Sequence, residues 1–527
     1  MSRKTLTTLL VASAVSLGAI GCTDLVIEPE STVTSSNIFT DESSYESFLA
    51  KIYAGLAVTG QEGPDGARDI QRITDEGFSN YLRLLWVINT LPTDEAVIGW
   101  GDPGLPEMNY QGWGADNQWP GGMYSRIFFQ IAMANQFLRE TTDEKLDERN
   151  VSAETRADIA QFQAEARFLR AYSYWHGVDI FGPIPLVDET FDLGVTPPEQ
   201  ATRAEIYDFI VNELNDIRAA LPAPGAGEYG RADQGAVAML LAKVYLNAEV
   251  YAGTGAYAQA LSEAEFVINS GAYSLNDTYT GNFLADNHTS PELIFVVPQD
   301  GENTRTWGGT TFLAHASVGG NMDASAYGLD FAWWGLRIQP EIVNLFPASG
   351  DGRADDVFFT DGQSLTISNV SDFFQGYAAP KFQNVTSDGT PGSHLTFPDT
   401  DYPVFRLADA YLMYAEAHLR GGGGDVGTAV GLVNELRERA YGDTSGNISA
   451  GELTLDFILD ERARELYWEG HRRTDLVRFG LFTGGDYLWT FKGGTPAGQA
   501  TAAFRDLYPL PASELLANPN LTQNEGY

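Results

Sequence analysis

Residues Glu165–Val187 read EARFLRAYSYWHGVDIFGPIPLV. Phe168, Ala171, Tyr172 and Trp175 recur at spacings of three and four, the period of one helix face. Phe181-Gly182-Pro183 stops the helix, since proline disfavours helical geometry at the residue before it. Ile184, Pro185 and Leu186 then leave as an extended apolar tail. Aromatic and alanine side chains alternate on the face, so it packs closely against other helices. A face of this kind is buried only by neighbours, and the expected fold is mainly α, with the remaining helices stacked around this one.

The flanking sequence supplies those helices. Glu46–Leu56, Met123–Arg139 and Ala204–Leu221 carry helical periodicity, and Pro222 to Gly230 breaks the last. Ala236–Val250 and Tyr257–Ile268 form a pair with an internal echo. Leu241-Ala242-x-x-Tyr245-Leu246 recurs as Leu407-Ala408-x-x-Tyr411-Leu412, and a second amphipathic helix follows each, the later one at Val430–Arg439. Small residues beside a tyrosine, with Ala260 and Ala264 on the partner helix, form a tetratricopeptide-like pattern. The alternative is two unrelated amphipathic helices; the repeat is the preferred reading. Leu455–Phe479 reads as one long charged helix interrupted at Gly470. Its Glu461, Glu465 and Glu469, interleaved with Arg462, Arg464, Arg472 and Arg473, read as a structural ion-pair network on a helix.

Two irregular insertions interrupt the scaffold. The expected organisation is helical over about 40–60, 121–275 and 405–480, with loop-rich insertions at about 61–120 and 276–404. Leu293–Val297 is the strand-like run in the second. Trp100 (VIGWGDPG), Trp113 (YQGWGADN) and Trp307 (TRTWGGTT) sit beside glycines in polar loops rather than at periodic apolar positions. A flat indole beside Asp and Asn suits the apolar face of a pyranose ring, with polar neighbours bonding its hydroxyls. The alternative for each is a half-buried anchor that pins a loop. Three together favour binding, on loops held by a rigid scaffold.

Charge and motifs narrow the class. With 71 acidic against 32 basic residues, the formal charge of −39 leaves no basic footprint for nucleic acid, and it disfavours an anionic membrane surface. A neutral sugar is indifferent to this field. HExxH, GxxxxGK[ST] and GxSxG are all absent, and the six histidines are scattered. The expectation is no enzyme and no metal. Arg3 and Lys4 precede an apolar run, Leu9–Ile20, that is too short to span a bilayer. Ala19-Ile20-Gly21 before the only cysteine, Cys22, resembles a bacterial lipoprotein signal over residues 1–21 with Cys22 lipidated. An ordinary secretory signal is the alternative.

Longer motifs carry a family resemblance. Arg167–Val187, FRLADAYLMYAEA at Phe405–Ala417, NELRERA at Asn434–Ala440, Glu461–Gly480, Tyr508-Pro509-Leu510-Pro511 and Gln523-Asn524-Glu525-Gly526-Tyr527 resemble the SusD/RagB outer-membrane nutrient-binding lipoproteins. The resemblance implies one such domain over 22–527, with tetratricopeptide-like helix pairs (a SusD-like α-solenoid) supporting a ligand-binding face. It also implies a SusC-like TonB-dependent transporter as partner, and lipid-anchored surface exposure on the outer membrane. Asp75-Glu76-Gly77, Arg83 and Leu91-Pro92-Thr93-Asp94-Glu95 stand in the order of starch-binding members. That match implies a starch or malto-oligosaccharide ligand at Asp75, Arg83, Trp100 and Trp307, with Phe331, Trp333 or Trp334 as the third aromatic. Pro103 replaces an expected asparagine, and Asp102 beside it is available to bond a hydroxyl. The loop that could hold calcium in relatives reads Ala285-Asp286-Asn287-His288; calcium is disfavoured there and no cofactor is expected. The remaining alternatives are another glycan or an oligopeptide ligand, a surface glycoside hydrolase, or a structural lid.

Overall fold

Short polar side chains set where the helices begin. The computed structural model describes residues 43–527 except 193 and 195, together with 38, 39 and 41. The expected signal segment, its tether and Cys22 lie outside the described residues. Residues 1–44 and 45–527 are separate units. In the first, Asp41 accepts from Ser43 Oγ at 2.8 Å and Ser44 N at 3.1 Å, as a helix cap does.

The principal helices are α1 (Ser43–Ala57), α2 (Tyr81–Asn89), α3 (Gln118–Glu140), α4 (Ala153–Phe181), α5 (Arg203–Ile217), α6 (Gln234–Leu246) and α7 (Tyr257–Asn269). After a loop-rich stretch holding α8 (Gly309–Ala316) come α9 (Leu407–Ala417), α10 (Val426–Tyr441), α11 (Leu455–Leu466) and α12 (Arg472–Arg478). Ser152, Asp233 and Asp425 cap α4, α6 and α10, and Thr202 with Glu205 makes a capping box on α5. Each such cap is worth about 1 kcal/mol. No described helix is long and apolar enough to cross a membrane.

α4 extends eleven residues upstream of Ala164 as a half-exposed arm, and from Ala164 to Phe181 only Arg167 is not buried. It packs between α3 and α5. The repeat expectation holds in space: α6 packs on α7, α7 on α9, and α9 on α10, so successive helix pairs stack. Ala260 and Ala264 are fully buried on α7, where small side chains let backbones approach. All eleven residues of α9 are buried, which explains a segment that is apolar nearly all round.

Two expectations are corrected. Residues 81–89, placed in an irregular insertion, form a helix whose nine residues are all buried. Its Trp86 meets Trp468 edge-on at 5.8 Å and Phe312 at 5.5 Å. The segment 455–479 is two separate helices rather than one, and the break at 467–471 includes the expected interruption at Gly470, at φ 79°, but begins upstream of it. Trp468 breaks it at φ 65°, held there because its N and Nε1 donate to Glu95 Oε2 and Glu95 O, both at 3.1 Å.

The glutamates of α11 do form an ion-pair network, but inside the protein rather than along a helix surface. Arg353 bonds Glu461 at 2.7 Å and Glu465 at 3.2 Å; Arg406 bonds Glu465 and Glu469 at 2.7 Å and Glu292 at 2.8 Å. Arg439 joins Glu292 and Glu465, and Lys381 joins Glu469. All these residues are buried except Arg439, which is half-buried. Burial alone raises a carboxyl, yet Arg353, Arg464 and Arg437 hold Glu461 at about 2.

Strands are few and join distant segments. β1 (Ala96–Ile98) pairs antiparallel with β5 (Leu336–Ile338), with Val97 opposite Arg337. β2 (Ile184–Pro185), the predicted apolar tail, pairs with β3 (Gln200–Ala201). β4 (Leu293–Val297) pairs with β6 (Tyr402–Arg406) through a register irregularity. The β1–β5 ribbon ties the two insertions together, and the site is built where they meet.

Candidate functional site

The chain leaving β1 carries Gly99, Trp100 and Asp102; the chain entering β5 carries Phe331, Trp333 and Trp334. Gly99 N donates to Gly335 O at 3.2 Å, while Trp333 N and Gly335 N donate to His315 O and Ala316 O at 2.9 Å. One ribbon against the end of α8 therefore sets both tryptophans. Trp100 and Trp333 lie 6.2 Å apart at 48°, and Trp333 and Trp307 6.3 Å apart at 40°. All three rings are half-buried. A methyl group added at Gly335 would sit 2.5 Å from Cζ2 of Trp100, so only glycine leaves room beneath that ring.

Trp307, just ahead of α8, is gripped from the first insertion. Glu76 Oε2 accepts Trp307 N at 2.8 Å, Glu76 Oε1 accepts Thr306 Oγ1 at 2.8 Å, and Arg83 Nη1 donates to Trp307 O at 3.2 Å. A methyl at Gly77 would lie 2.6 Å from Trp307 O and 2.8 Å from its Cβ. Burial raises the Glu76 carboxyl, and its bonds to Thr59, Trp307 N and Thr306 pull it back.

The polar groups gather at the Trp100 end. Arg83 is buried with its guanidinium between Phe78, 4.5 Å away, and Phe312, 4.3 Å away, and it lies 5.9 Å over Trp100. Burial brings it down to about 10, against the pull of Asp75, Asp102 and Glu76, so it stays cationic at neutral pH. Asp75 is exposed and accepts Phe78 N at 2.9 Å; Asp102 is half-buried. Asp75, Arg83, Trp100 and Asp102 thus converge, and Trp333 and Trp307 continue the surface.

The three candidates for the third aromatic separate. Trp333 lies between Trp100 and Trp307. Phe331 extends the group, 6.3 Å from Trp333 and 45% exposed. Trp334 leaves it: φ of 57° turns its ring toward Phe373 and Phe374, at 5.7 and 6.0 Å. Trp113 is also corrected. It is 1% exposed, stacked on Tyr508 at 4.4 Å, with Nε1 donating to Tyr527 Oη at 2.7 Å, and so is a loop anchor. Phe397, 4.9 Å from Trp307, and His315, stacked under Trp333 at 4.9 Å and 22°, belong to the site and carried no local signal.

The result is an open surface of three indoles with two carboxylates and a guanidinium at one end. It can stack the apolar faces of successive pyranose rings and bond their hydroxyls. A concavity of about 290 Å³ lies elsewhere, lined by Leu49, Tyr53, Tyr229 and Val296 among others. In the loop 285–288, Asp286 accepts Ser387 N at 2.9 Å and Ser387 Oγ at 2.6 Å, and among the described residues no group of three or more His, Cys, Asp or Glu is placed for a metal.

Residues 358–527 match the model of the SusD family, and residues 99–246 match one described as starch-binding, associating with outer membrane. The chain is 35% identical to the starch-binding protein SusD of Bacteroides thetaiotaomicron, over 98% of this chain and 97% of that one. A SusD superfamily protein from Parabacteroides distasonis superposes with a TM-score of 0.71 at 25% identity, covering 94% of this chain and all of that one. Surface glycan-binding protein A from Bacteroides thetaiotaomicron, solved in complex with laminarihexaose, has the same fold at a TM-score of 0.69 and 21% identity, over 92% and 99%.

Proposed function

The chain belongs to the SusD family, and from that membership we propose a non-catalytic surface protein that captures starch-like malto-oligosaccharides and passes them to a SusC-like TonB-dependent transporter. The observation that carries the ligand class is the run of Trp100, Trp333 and Trp307, each ring about 6 Å from the next and tilted against it. Tilted successive planes follow a curved chain, whereas coplanar rings suit a flat one. Arg83, Asp75 and Asp102 supply donors and acceptors for hydroxyls at one end, with Phe331 as an outer contact. The choice of α-glucan is further supported by the 35% identical relative, which is named for starch binding. Placement on the outer membrane by a lipidated Cys22, after removal of residues 1–21, is part of the same reading. So is the division into helical scaffold and ligand-binding insertions.

The test is isothermal titration of the chain lacking residues 1–22 with maltoheptaose, in parallel with laminarihexaose, a xylan oligosaccharide and a mixed peptide pool. Heat with maltoheptaose that is lost in Trp100→Ala supports the reading. Heat with only one of the others reassigns the ligand within the same role. Release of reducing ends from starch by the purified protein would make it a hydrolase instead.

A further inference from the structure

His315 sits in the last turn of α8 with its ring wholly buried. Its Nδ1 is 2.7 Å from Phe331 O and its Nε2 is 2.8 Å from Thr396 O. A carbonyl oxygen only accepts, and a neutral imidazole has one N–H. Both contacts are hydrogen bonds only when both ring nitrogens carry protons. The face of the same ring lies under Trp333, and an imidazolium is attracted to an indole face more strongly than a neutral imidazole is.

Those two carbonyls belong to the two loops that frame the aromatic surface. Phe331 O leads directly into Trp333, whose N returns to His315 O. Thr396 O precedes Phe397, which packs on Trp307. The loops are also sewn to each other, since Thr396 Oγ1 donates to Asp330 Oδ2 at 2.6 Å and Asp330 N donates to Leu395 O at 3.2 Å. The charged and titratable groups on the packed elements are Asp323, Tyr327 and Asp330 on one loop, His394 and Asp399 on the other, Arg305 ahead of α8, and Arg83 on α2. Burial holds the imidazole below its ordinary value, and the two carbonyls and then Asp330 push it back only in part. With one proton missing, one nitrogen lone pair faces a carbonyl at contact distance, and the bond from His315 to that loop is lost.

We propose that His315 is the positioning residue of the aromatic surface, and that the arrangement in which Trp333 and both loops are locked is the doubly protonated one, so that glycan binding takes up a proton. This rests on the reading that α-glucans stack on Trp100, Trp333 and Trp307. The sign follows from linkage: the bound form holds the proton more tightly, so affinity rises as pH falls through the acid side of the imidazole range.

The experiment is calorimetric titration of the chain lacking residues 1–22 with maltoheptaose at about pH 5 and about pH 7.5, in buffers of differing ionisation enthalpy. The wild type is expected to bind about tenfold more tightly at the lower pH with net proton uptake. His315→Gln, whose amide does not titrate in this range, is expected to lose both the uptake and the extra pH dependence. Identical pH profiles in the two proteins would overturn the proposal. Should the variant not fold, nitrogen-15 spectra of the wild-type histidines decide: two protonated nitrogens on His315 in the bound form support it, and a neutral single tautomer across that range overturns it. If maltoheptaose does not bind at all, the functional reading fails separately. Co-titration of the His315 ring and the Trp333 indole in the free protein then still supports the lock, and independent titration overturns it.

Discussion

The protein holds its charges and its rings in inverted places. Around α11 and α12, carboxylates and guanidiniums that would ordinarily face water are sealed inside, each bonded to two or three partners. At the meeting of the two insertions, tryptophans that would ordinarily fill a core are left half in solvent. The first arrangement gains little net stability over an apolar core, because desolvation offsets the Coulomb attraction, but it penalises every rearrangement that strands a charge. The second leaves apolar area uncovered that a bound molecule can cover. One region makes the frame unique; the other makes it useful.

Substitutions can pull the two regions apart. Glu465→Ala leaves Arg353, Arg406 and Arg439 short of a partner, and should cost about 3–5 kcal/mol in urea denaturation or prevent folding. Any folded fraction should bind glycan as the wild type does; a weakened affinity at unchanged stability would show that the regions are one system. Acid should erode the same region. Glu461, held at about 2, contributes stability that is present above the ordinary carboxylate value and lost as pH falls from there through about 2. That contribution is on the order of 3 kcal/mol, read from urea midpoints measured between neutral and acid pH. Trp307→Ala should weaken maltoheptaose by about 2 kcal/mol with a much smaller change in the urea midpoint. Trp113→Phe keeps a ring on Tyr508 but loses the bond to Tyr527. It should cost about 1 kcal/mol of stability and leave binding unchanged.

The helical frame was legible because its signals are local. The aromatic-alanine face from Phe168 to Trp175 and the echoed Leu-Ala-x-x-Tyr-Leu each act within a turn or two of chain. The site was legible only in part. Trp100 and Trp113 share the same Gly-Trp-Gly setting, yet Trp100 is open and Trp113 is covered by Tyr508 and Tyr527, partners about four hundred residues away in sequence. Trp333 and Trp334 are neighbours, and the backbone angle that parts them is set by Val318 O and His315 O across a loop. The break at Trp468 depends on Glu95, which no periodicity within 455–479 reports. Helix α2 is hidden in the sequence because it is only nine residues long within a stretch punctuated by Gly77 and Pro92, and the neighbours that bury it, Phe312 and Trp468, are distant in the chain.

The glycines beneath the rings have a further consequence. A methyl group at Gly335 meets the Trp100 ring and one at Gly77 meets the Trp307 backbone, whereas both rings are half open to solvent on their other sides. Sequence drift is therefore one-sided here: descendants can trade indole for phenol or phenyl above, but the seats below stay empty. A library aimed at new ligands should randomise the rings and their acidic neighbours and leave both glycines untouched.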